Sequence, residues 1–425
     1  MNLLSNLLHK HKDTSIYDKD NLKIIILTDN HFLAPSLHDN GEKYEYIKMT
    51  SAGKEMDYQD VALQAMATKI IDLKPDALII TGDLTLNGEY ESLHRMKDIL
   101  SILEDNHIPT YVIPGNHDIY SGWARSFKGN EMLKTKLISP HDFRKVFPDG
   151  YKQAYSLDKD SLSYAINLNK DYQLILLDSC IYSKENATKK PIINGVLSKE
   201  TLHWLEKVLI KAKENNQTSL VFIHHNLYKH NHYFFNGFVL DNATVLKDLL
   251  NKYHVPMIFS GHIHIQSIKK EDNGPYEVVT GSFTTNQLSY GVLDLNTKEM
   301  SYHKEILSLN DYNKTHHITD EHLLQYPQYM LDISHISSKS LLGRTIDYDK
   351  EWSDEYYASI KEFFAKLNDK MYDGHDFNEQ EIKEIENSEQ YQSIRKRSML
   401  LSKYLYAMLL PKDYSNKKLT IKKDI

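Results

Sequence analysis

Short apolar runs alternate with segments of helical spacing from residue 23 to about residue 305. The apolar runs have the length of buried strands and lie at residues 24–27, 77–81, 110–113, 173–177, 219–223 and 256–260. The segments with apolar residues at helical spacing lie at residues 61–73, 91–103 and 200–213. Strands that are apolar throughout, with helices between them, are typical of sheets covered on both faces. The pattern therefore predicts an α/β domain.

The pattern changes after Gly274, where strand-like runs are joined by short polar turns. These runs lie at residues 276–280, 290–295 and 300–306. They favour an antiparallel section that closes the α/β domain.

Helical periodicity dominates from about residue 309 onward. It is clearest at residues 320–335, 353–367 and 388–410. We therefore divide the chain into an α/β domain at residues 1–308 and a helical C-terminal domain at residues 309–425. The lysine-rich residues 412–425 carry few apolar side chains, and we expect them to fray as a solvated tail, with a partner-binding arm as the alternative.

Charge and composition exclude several classes of protein. The formal net charge of −7 argues against broad nonspecific binding to nucleic acid, because such binding needs a basic surface. The single cysteine, Cys180, rules out an intramolecular disulfide and a thiolate metal cluster. The N-terminal residues hold too short an apolar stretch for a signal peptide, and no later run approaches the ~20 apolar residues that span a bilayer. These features predict a cytoplasmic protein without a membrane span.

Polar residues that are typical of metal sites follow the predicted strands. The segments are Asp29-Asn30-His31, Gly82-Asp83, Gly115-Asn116-His117-Asp118, His224-His225 and Gly261-His262-Ile263-His264. Each segment comes just after a predicted strand or at the turn that follows one. Because ligands gather at the carboxyl ends of strands in sheets flanked by helices, we expect the five segments to converge on one site.

The spacing within the segments suits shared ligands. Side chains two apart on extended backbone point to one face, so Asp29 and His31 are expected to bind one ion together, and His262 and His264 to enter one cavity. The glycines in the segments let the backbone turn sharply near an ion. Imidazole, carboxylate and amide donors suit manganese, iron, zinc or nickel.

The five segments match the signature of a known family. The chain resembles the calcineurin-like metallophosphoesterases, whose signature is D-x-H, GD, GNH with a following acidic residue, a lone H and GHxH. All five blocks are present without a substitution, and the resemblance covers about residues 22–305. Further segments resemble the bacterial class III cyclic-nucleotide phosphodiesterases, namely Gly82-Asp83-Leu84-Thr85 with Gly88, and Leu177-Asp178-Ser179 with Gly195 and Trp204-Leu205.

The resemblance implies a four-layer α-β-β-α sandwich with a helical C-terminal appendage, so residues 1–308 would be a metallophosphoesterase catalytic domain. It also implies two divalent metal ions, with manganese and iron expected first and zinc as an alternative. The resemblance assigns Asp29, His31, Asp83 and His264 to one ion, and Asp83, Asn116, His224 and His262 to the other. Asp83 would then bridge ions that are about 3.5–4 Å apart.

The implied reaction is hydrolysis of a phosphoester by a hydroxide that the two ions share. His117 is our candidate to protonate the leaving alkoxide, with direct phosphate contact as the alternative, and Asp118 is expected to orient its imidazole. His225 should point away from the metals, and a substrate contact and a structural role both stay open. The aromatic loop at residues 226–240 either walls a base-binding pocket or packs on the C-terminal helices.

Phosphodiester hydrolysis, with cyclic nucleotides such as cAMP as the preferred substrates, is the first hypothesis for function. The alternatives are a phosphomonoesterase or nucleotide pyrophosphatase at the same site. A scaffold that has lost its chemistry is disfavoured because no ligand is missing. We expect a small phosphoester as the partner, and no nucleic acid. Three roles stay open for the C-terminal helices: to cap the site, to mediate a dimer or to complete the core.

Overall fold

The computed structural model describes residues 15–346 and 352–423. Its strands are β1 (Leu22–Leu27), β2 (Ala77–Thr81), β3 (Thr110–Ile113), β4 (Arg125–Lys128), β5 (Glu131–Lys134), β6 (Ser156–Leu157), β7 (Tyr164–Asn167), β8 (Tyr172–Leu177), β9 (Thr218–Ile223), β10 (Met257–Ser260), β11 (Ser267–Lys270), β12 (Tyr276–Val279), β13 (Ser289–Leu295), β14 (Glu299–Ile306) and β15 (Lys418–Lys422). The six apolar runs at residues 24–260 all form strands, as predicted.

The helices of the α/β part are α1 (Glu42–Thr50), α2 (Gln59–Leu73), α3 (Tyr90–Asp105), α4 (Pro140–Val146), α5 (Asp149–Gln153), α6 (Lys199–Glu214) and α7 (Ala243–Lys252). Those that follow are α8 (Asn310–Thr315), α9 (Glu321–Leu324), α10 (Tyr326–Thr345), α11 (Asp354–Asp373), α12 (Glu379–Asn387), α13 (Glu389–Arg397) and α14 (Met399–Met408). The predicted helices at residues 61–73, 91–103 and 200–213 are α2, α3 and α6.

The first of two large sheets has the strand order β15-β14-β13-β1-β2-β3. β1, β2 and β3 are parallel, whereas β13, β14 and β15 join by antiparallel pairing. The second sheet has the order β11-β12-β10-β9-β8-β7-β6, and its inner strands β8, β9, β10 and β12 are parallel. In each sheet, therefore, the carboxyl ends of several neighbouring strands share one edge.

Three apolar cores separate four layers. Ile25 and Leu27 of β1 belong to the core that the first sheet shares with α2 and α3, whereas Ile24 and Ile26 belong to the core between the two sheets. The second sheet contributes its other face to a third core with α6 and α7. Because successive strand residues point to opposite faces, an uninterrupted apolar run buries both faces of a sheet. The predicted four-layer α-β-β-α sandwich is confirmed.

The C-terminal helices form a separate core. Its fully buried members include Leu342 of α10, Ile360 and Phe364 of α11, and Ile394 of α13. Helix α11 begins where the side chain of Ser353 accepts the backbone N–H of Tyr356, and it ends at a left-handed glycine, as capping preferences favour. The helical C-terminal appendage is thus confirmed as a packed unit.

Two predictions about strands are wrong. Residues 412–425 are expected to fray, yet β15 pairs antiparallel with β14, and its Leu419 and Ile421 pack on the core between the sheets; residues 424 and 425 lie outside the described part. Residues 276–280 are expected to pair antiparallel with the strands that follow, yet β12 lies parallel to β10 in the other sheet. A strand has the same two-residue periodicity in either direction, so its local pattern does not reveal its partner.

Of the helices that the structure describes, none is long and apolar enough to cross a bilayer.

Candidate metal centre

Loops at the carboxyl ends of parallel strands bring the predicted ligands together from both sheets. The first sheet contributes Asp29 and His31 after β1, Asp83 after β2 and Asn116 after β3, and the second contributes His224 after β9 and His262 and His264 after β10. Two groups of these residues offer ligand atoms within 4.8 Å of one another. One contains Asp29, His31, Asp83 and His264, and the other contains Asp83, His224 and His262.

The backbone at the centre is turned rather than extended. Asp29, His31 and Asp83 have φ angles of 50°, 42° and 49°, and those of His262 and His264 are 69° and 64°. Left-handed conformations at residues other than glycine cost on the order of 1 kcal/mol each and concentrate at functional sites. Asp29 and His31 therefore converge through left-handed turns, and the explanation by alternation along an extended strand is wrong.

Two glycines of the motifs leave room for the carboxylates. A Cβ atom at Gly115 would collide with the backbone nitrogen and Oδ1 of Asp83. A Cβ atom at Gly261 would collide with Oγ1 of Thr28 and would lie 2.6 Å from Oδ2 of Asp29. Glycine at these positions allows the carboxylates to lie directly against backbone.

The first group presents unpaired donor atoms to one point. Oδ2 of Asp29 accepts the hydroxyl of Thr28 and the N–H of His262, both at 2.9 Å, whereas its buried Oδ1 has no hydrogen-bond partner among the described residues. That Oδ1 lies 3.4 Å from Nε2 of His264, and Nε2 of His264 lies 3.0 Å from Nε2 of His31. A buried carboxylate oxygen beside two ring nitrogens that face each other is the arrangement that a cation would complete.

The second group holds its imidazoles by their outer nitrogens. Nδ1–H of His224 donates to the carbonyl of Thr81 at 2.9 Å, which leaves Nε2 at 3.2 Å from Oδ1 of Asn116. Nε2–H of His262 donates to the carbonyl of Gly237 at 3.0 Å, which leaves Nδ1 as its free ligand atom. Metal-binding histidines are commonly fixed by such a bond from the second ring nitrogen.

Asp83 is shared between the two groups. Its Oδ2 lies 3.5 Å from Nε2 of His31 and 3.5 Å from Nε2 of His224. Burial alone would raise the pKa of Asp83, but His224, His117 and His31 hold this pKa well below its usual range. Asp83 is thus an anion between two imidazole sets. The donor set as a whole fits two divalent cations bound by nitrogen and oxygen.

The predicted contact between Asp118 and the ring of His117 is wrong. Oδ2 of Asp118 accepts the N–H groups of Gly115 at 2.8 Å and Leu84 at 3.1 Å, and Oδ1 accepts both the N–H and the hydroxyl of Thr85 at 2.9 Å. The carboxylate folds back onto its own turn and onto the loop after β2, so it braces the two ligand loops against each other. Asp118 is therefore bonded to backbone and to Thr85, and not to the imidazole.

Asn87 orients His117 instead. Nδ1 of His117 donates to Oδ1 of Asn87 at 2.9 Å, and the backbone N–H of His117 donates to Oδ1 of Asp83, also at 2.9 Å. The ring of His117 lies edge-on to that of His31, with the centroids 5.0 Å apart, so it borders the first ligand group. Sequence reasoning missed Asn87; the available signal was a polar residue directly before Gly88, in the loop that carries Asp83.

His225 has both ring nitrogens bonded inside the protein. Nε2–H donates to the carbonyl of Ile193 at 2.9 Å, and Nδ1 accepts the hydroxyl of Ser179 at 2.8 Å. The fully buried ring packs on that of His262 with a centroid distance of 4.6 Å. These contacts favour the structural role for His225 over the substrate contact, because they use both of its polar atoms.

The aromatic loop at residues 226–240 joins the centre to the C-terminal helices. Its Gly237 carbonyl holds His262, and the ring of Phe234 lies edge-on to Tyr404 of α14 at 5.1 Å. Nζ of Lys403 lies 5.4 Å above the ring of Tyr233. Of the two interpretations of this loop, packing on the C-terminal helices is the one that these contacts bear out.

Comparison with known proteins agrees with this geometry. The family model for calcineurin-like phosphoesterases matches residues 22–266, and that for the C-terminal domain of cyclic nucleotide phosphodiesterases matches residues 308–414. The chain therefore belongs to the calcineurin-like phosphoesterase family, and the resemblance drawn from the five motifs is confirmed.

Two curated relatives illustrate this similarity. A protein of Arcobacter nitrofigilis described as a probable glycerophosphodiester phosphodiesterase, GpdQ, is 31% identical over 196 residues, which cover 45% of this chain and 57% of that protein. A probable cyclic nucleotide phosphodiesterase of Vesicomyosocius okutanii is 26% identical over 205 residues, which cover 48% of this chain and 69% of that protein. The chain thus spans little more than half the length of the Arcobacter protein.

A solved structure shows the same fold. A dimetal phosphatase from Danio rerio superposes with a TM-score of 0.51 at 13% identity, covering 68% of this chain and 98% of that chain. At this identity the likeness concerns the fold alone.

Proposed function

We propose that this protein is a two-metal phosphodiesterase for small phosphate diesters, with cyclic nucleotides as the preferred substrates. One observation carries the proposal: Oδ2 of Asp83 is equidistant, at 3.5 Å, from the ring nitrogens of His31 and His224. A carboxylate shared by two nitrogen-rich groups suits a pair of cations with a single bridging ligand. The matching C-terminal family model and the named relatives favour diesters over monoesters.

The residues of the centre would hold two divalent ions, manganese or iron by preference and zinc as the alternative. Asp29, His31 and His264 would bind one ion and Asn116, His224 and His262 the other, with Asp83 between them. When bound, such ions polarise phosphoryl oxygens and lower the pKa of water near them. Only two carboxylates stand among these ligands, so the loaded site carries net positive charge and attracts an anionic phosphate.

His117 supplies the proton in this proposal. Its Nδ1 is held by Asn87, so Nε2 is the atom that can carry a proton to the leaving oxygen as its bond to phosphorus breaks. The backbone N–H of His117 donates to Oδ1 of Asp83, which fixes the backbone at residue 117. Direct contact of a charged His117 with phosphate remains the alternative role. The dependence of the rate on the leaving group separates the proton donor from the phosphate contact, because only the proton donor matters less for good leaving groups.

The test is a hydrolysis panel with metal analysis. The full chain is stripped of metal, reloaded with Mn²⁺ and offered cyclic AMP, bis-p-nitrophenyl phosphate, glycerophosphocholine and p-nitrophenyl phosphate. We expect two ions per chain, faster turnover of diesters than of the monoester, and the highest kcat/KM with cyclic AMP. The Asp83→Asn variant, prepared in the same way, is the control for a contaminating hydrolase, because this variant should be inactive on every substrate.

Two outcomes would overturn the proposal. A strong preference for the monoester would indicate a phosphomonoesterase, and a chain that holds no transition metal would revive the scaffold hypothesis. A preference for glycerophosphocholine would retain the diesterase and change the substrate class, in line with the name of the Arcobacter relative. Cytoplasmic location, the boundary between residues 308 and 309 and the absence of nucleic-acid partners stay predictions.

A further inference from the structure

The segment from Ser51 to Gln59 runs beside the metal centre and is tied to it by backbone. The backbone of Lys54 forms a bridge with Thr285, and the next N–H donates to the carbonyl of Thr284 at 2.8 Å. Gln59 closes the other end, because its side-chain amide donates to the carbonyl of His31 at 3.1 Å and to that of Glu55 at 2.7 Å. The segment therefore has a fixed position relative to the ligand loop after β1.

Lys54 brings a cation to this border. Its partly exposed side chain has one hydrogen-bond acceptor, the carbonyl of Ser51 at 3.2 Å from Nζ, and makes no ion pair within the described residues. Burial lowers the pKa of Lys54, while Asp83 and Asp29 act in the opposite direction. The same ammonium contributes to lowering the pKa of His31 and His117, after burial. Lys54 thus lies on a segment that is fixed to the ligand loop after β1, and its ammonium pairs with no carboxylate of the described residues.

The C-terminal helices hold this segment in place. Gly53 has a φ of +82°, and a Cβ atom there would lie 3.2 Å from Cβ of Ser337 on α10. The hydroxyl of Tyr326, also on α10, donates to Oε2 of the buried Glu55 at 2.8 Å. A mobile segment would lose backbone entropy on ordering around a ligand, and these contacts avoid that cost because they fix the segment in advance.

We infer that Lys54 binds a phosphoryl oxygen of the ester at the metal centre and that α10 positions the segment that carries it. The inference rests on the proposed function, since it needs a phosphate at the centre. A lysine with one neutral acceptor can donate its other protons to an anion, and a charge-assisted bond is about twice as strong as a neutral one. The attraction scales with the charge of the ligand, so a dianionic phosphate should depend on Lys54 more than a monoanionic diester does.

The test measures phosphate binding separately from turnover. Inorganic phosphate is titrated by calorimetry into the Mn²⁺-loaded full chain carrying Lys54→Gln, Lys54→Arg or, as a matched control, Lys43→Gln on α1, whose ammonium lies over the ring of Tyr46. We expect Lys54→Gln to weaken phosphate binding about tenfold or more, Lys54→Arg to recover most of the affinity, and Lys43→Gln to match the wild type. Metal content should be equal in all four proteins, and KM for bis-p-nitrophenyl phosphate should rise less than the phosphate Kd.

Unchanged phosphate affinity in Lys54→Gln, with full metal content and diester turnover, would overturn the inference and leave the proposed function intact. Loss of metal from Lys54→Gln would also overturn it, because the lysine would then support the ligands instead of the phosphate. A wild-type chain that binds metal but neither hydrolyses a diester nor binds phosphate would refute both proposals together.

Discussion

Replacing Asn87 by alanine removes the side chain that holds the imidazole of the proposed acid. Oδ1 of Asn87 lies 2.9 Å from Nδ1 of His117. The backbone N–H of residue 87 would keep its bond to Oε2 of Glu89, at 2.8 Å, so the loop should stay folded. The substitution therefore separates orientation of the acid from the architecture of the metal centre.

The expected magnitude follows from that single bond. A hydrogen bond to a charged group contributes about 1.5–3 kcal/mol, and His117 is charged when it is ready to donate its proton. If the full bond is lost in the transition state, kcat falls about 10- to 150-fold for substrates with alkoxide leaving groups. Substrates with p-nitrophenolate leaving groups need little protonation, so their kcat should fall only slightly.

The assay compares kcat across diesters of graded leaving-group basicity, with metal content measured on the same samples. The chain offers a matched control in Asn40, whose Oδ1 lies 2.9 Å from Nδ1 of His38, a histidine that belongs to neither ligand group. Asn40→Gly removes an equivalent contact and keeps the left-handed backbone, so it should leave kcat unchanged. If kcat of Asn87→Ala falls equally for all leaving groups, or if this variant also loses metal, the reasoning is refuted.

Three further substitutions test the centre and the stability of the fold. Asp83→Asn should lower the content of both ions, because the shared charge is lost; metal analysis showing two retained ions would contradict bridging. Gly115→Ala should reduce metal affinity by about tenfold or more, because its Cβ atom collides with Asp83; wild-type affinity in calorimetry would contradict it. Burial raises the pKa of Glu89 to about 8, well above its unfolded value of about 4.5. The contribution of this group to the free energy of unfolding is therefore complete below pH 4.5. It declines by about 1.4 kcal/mol per pH unit as the pH rises toward 8. Glu89→Gln should flatten this decline in urea unfolding between pH 5 and 8, and an unchanged slope would count against it.

The apolar runs made the layered fold predictable, whereas the less apolar elements could not be predicted from the sequence. Residues 24–27 are apolar on both faces, so burial on both sides follows directly from the sequence. The hairpin of β4 and β5 escaped prediction because all four residues of β5 are exposed and show no periodicity. β15 escaped because only Leu419 and Ile421 turn inward among lysines, and its stability comes from pairing with a strand more than a hundred positions earlier.

The same contrast holds within the centre. The ligand candidates were recognisable because each stands in a short motif after a strand. The partner of His117 was not recognisable from the sequence, because Asn87 lies 30 positions away in another loop. The adjacent Asp118 offered a carboxylate at the very next position. In a tight turn, neighbouring side chains diverge, and the carboxylate of Asp118 reaches back to the N–H of Gly115. Adjacency in sequence is therefore a poor guide to contact inside turns.

The pairing of β15 with β14 gives the helical region a particular topology. The chain leaves the first sheet at the end of β14 and returns to it as the neighbouring strand, so α8 to α14 form one long excursion closed by an antiparallel ladder. An excursion anchored at both ends cannot swing open about a single hinge. Cutting the chain after β14 would also expose a bare sheet edge, which invites association between copies. Studies of the α/β part alone should therefore retain β15 by rejoining it through a short turn.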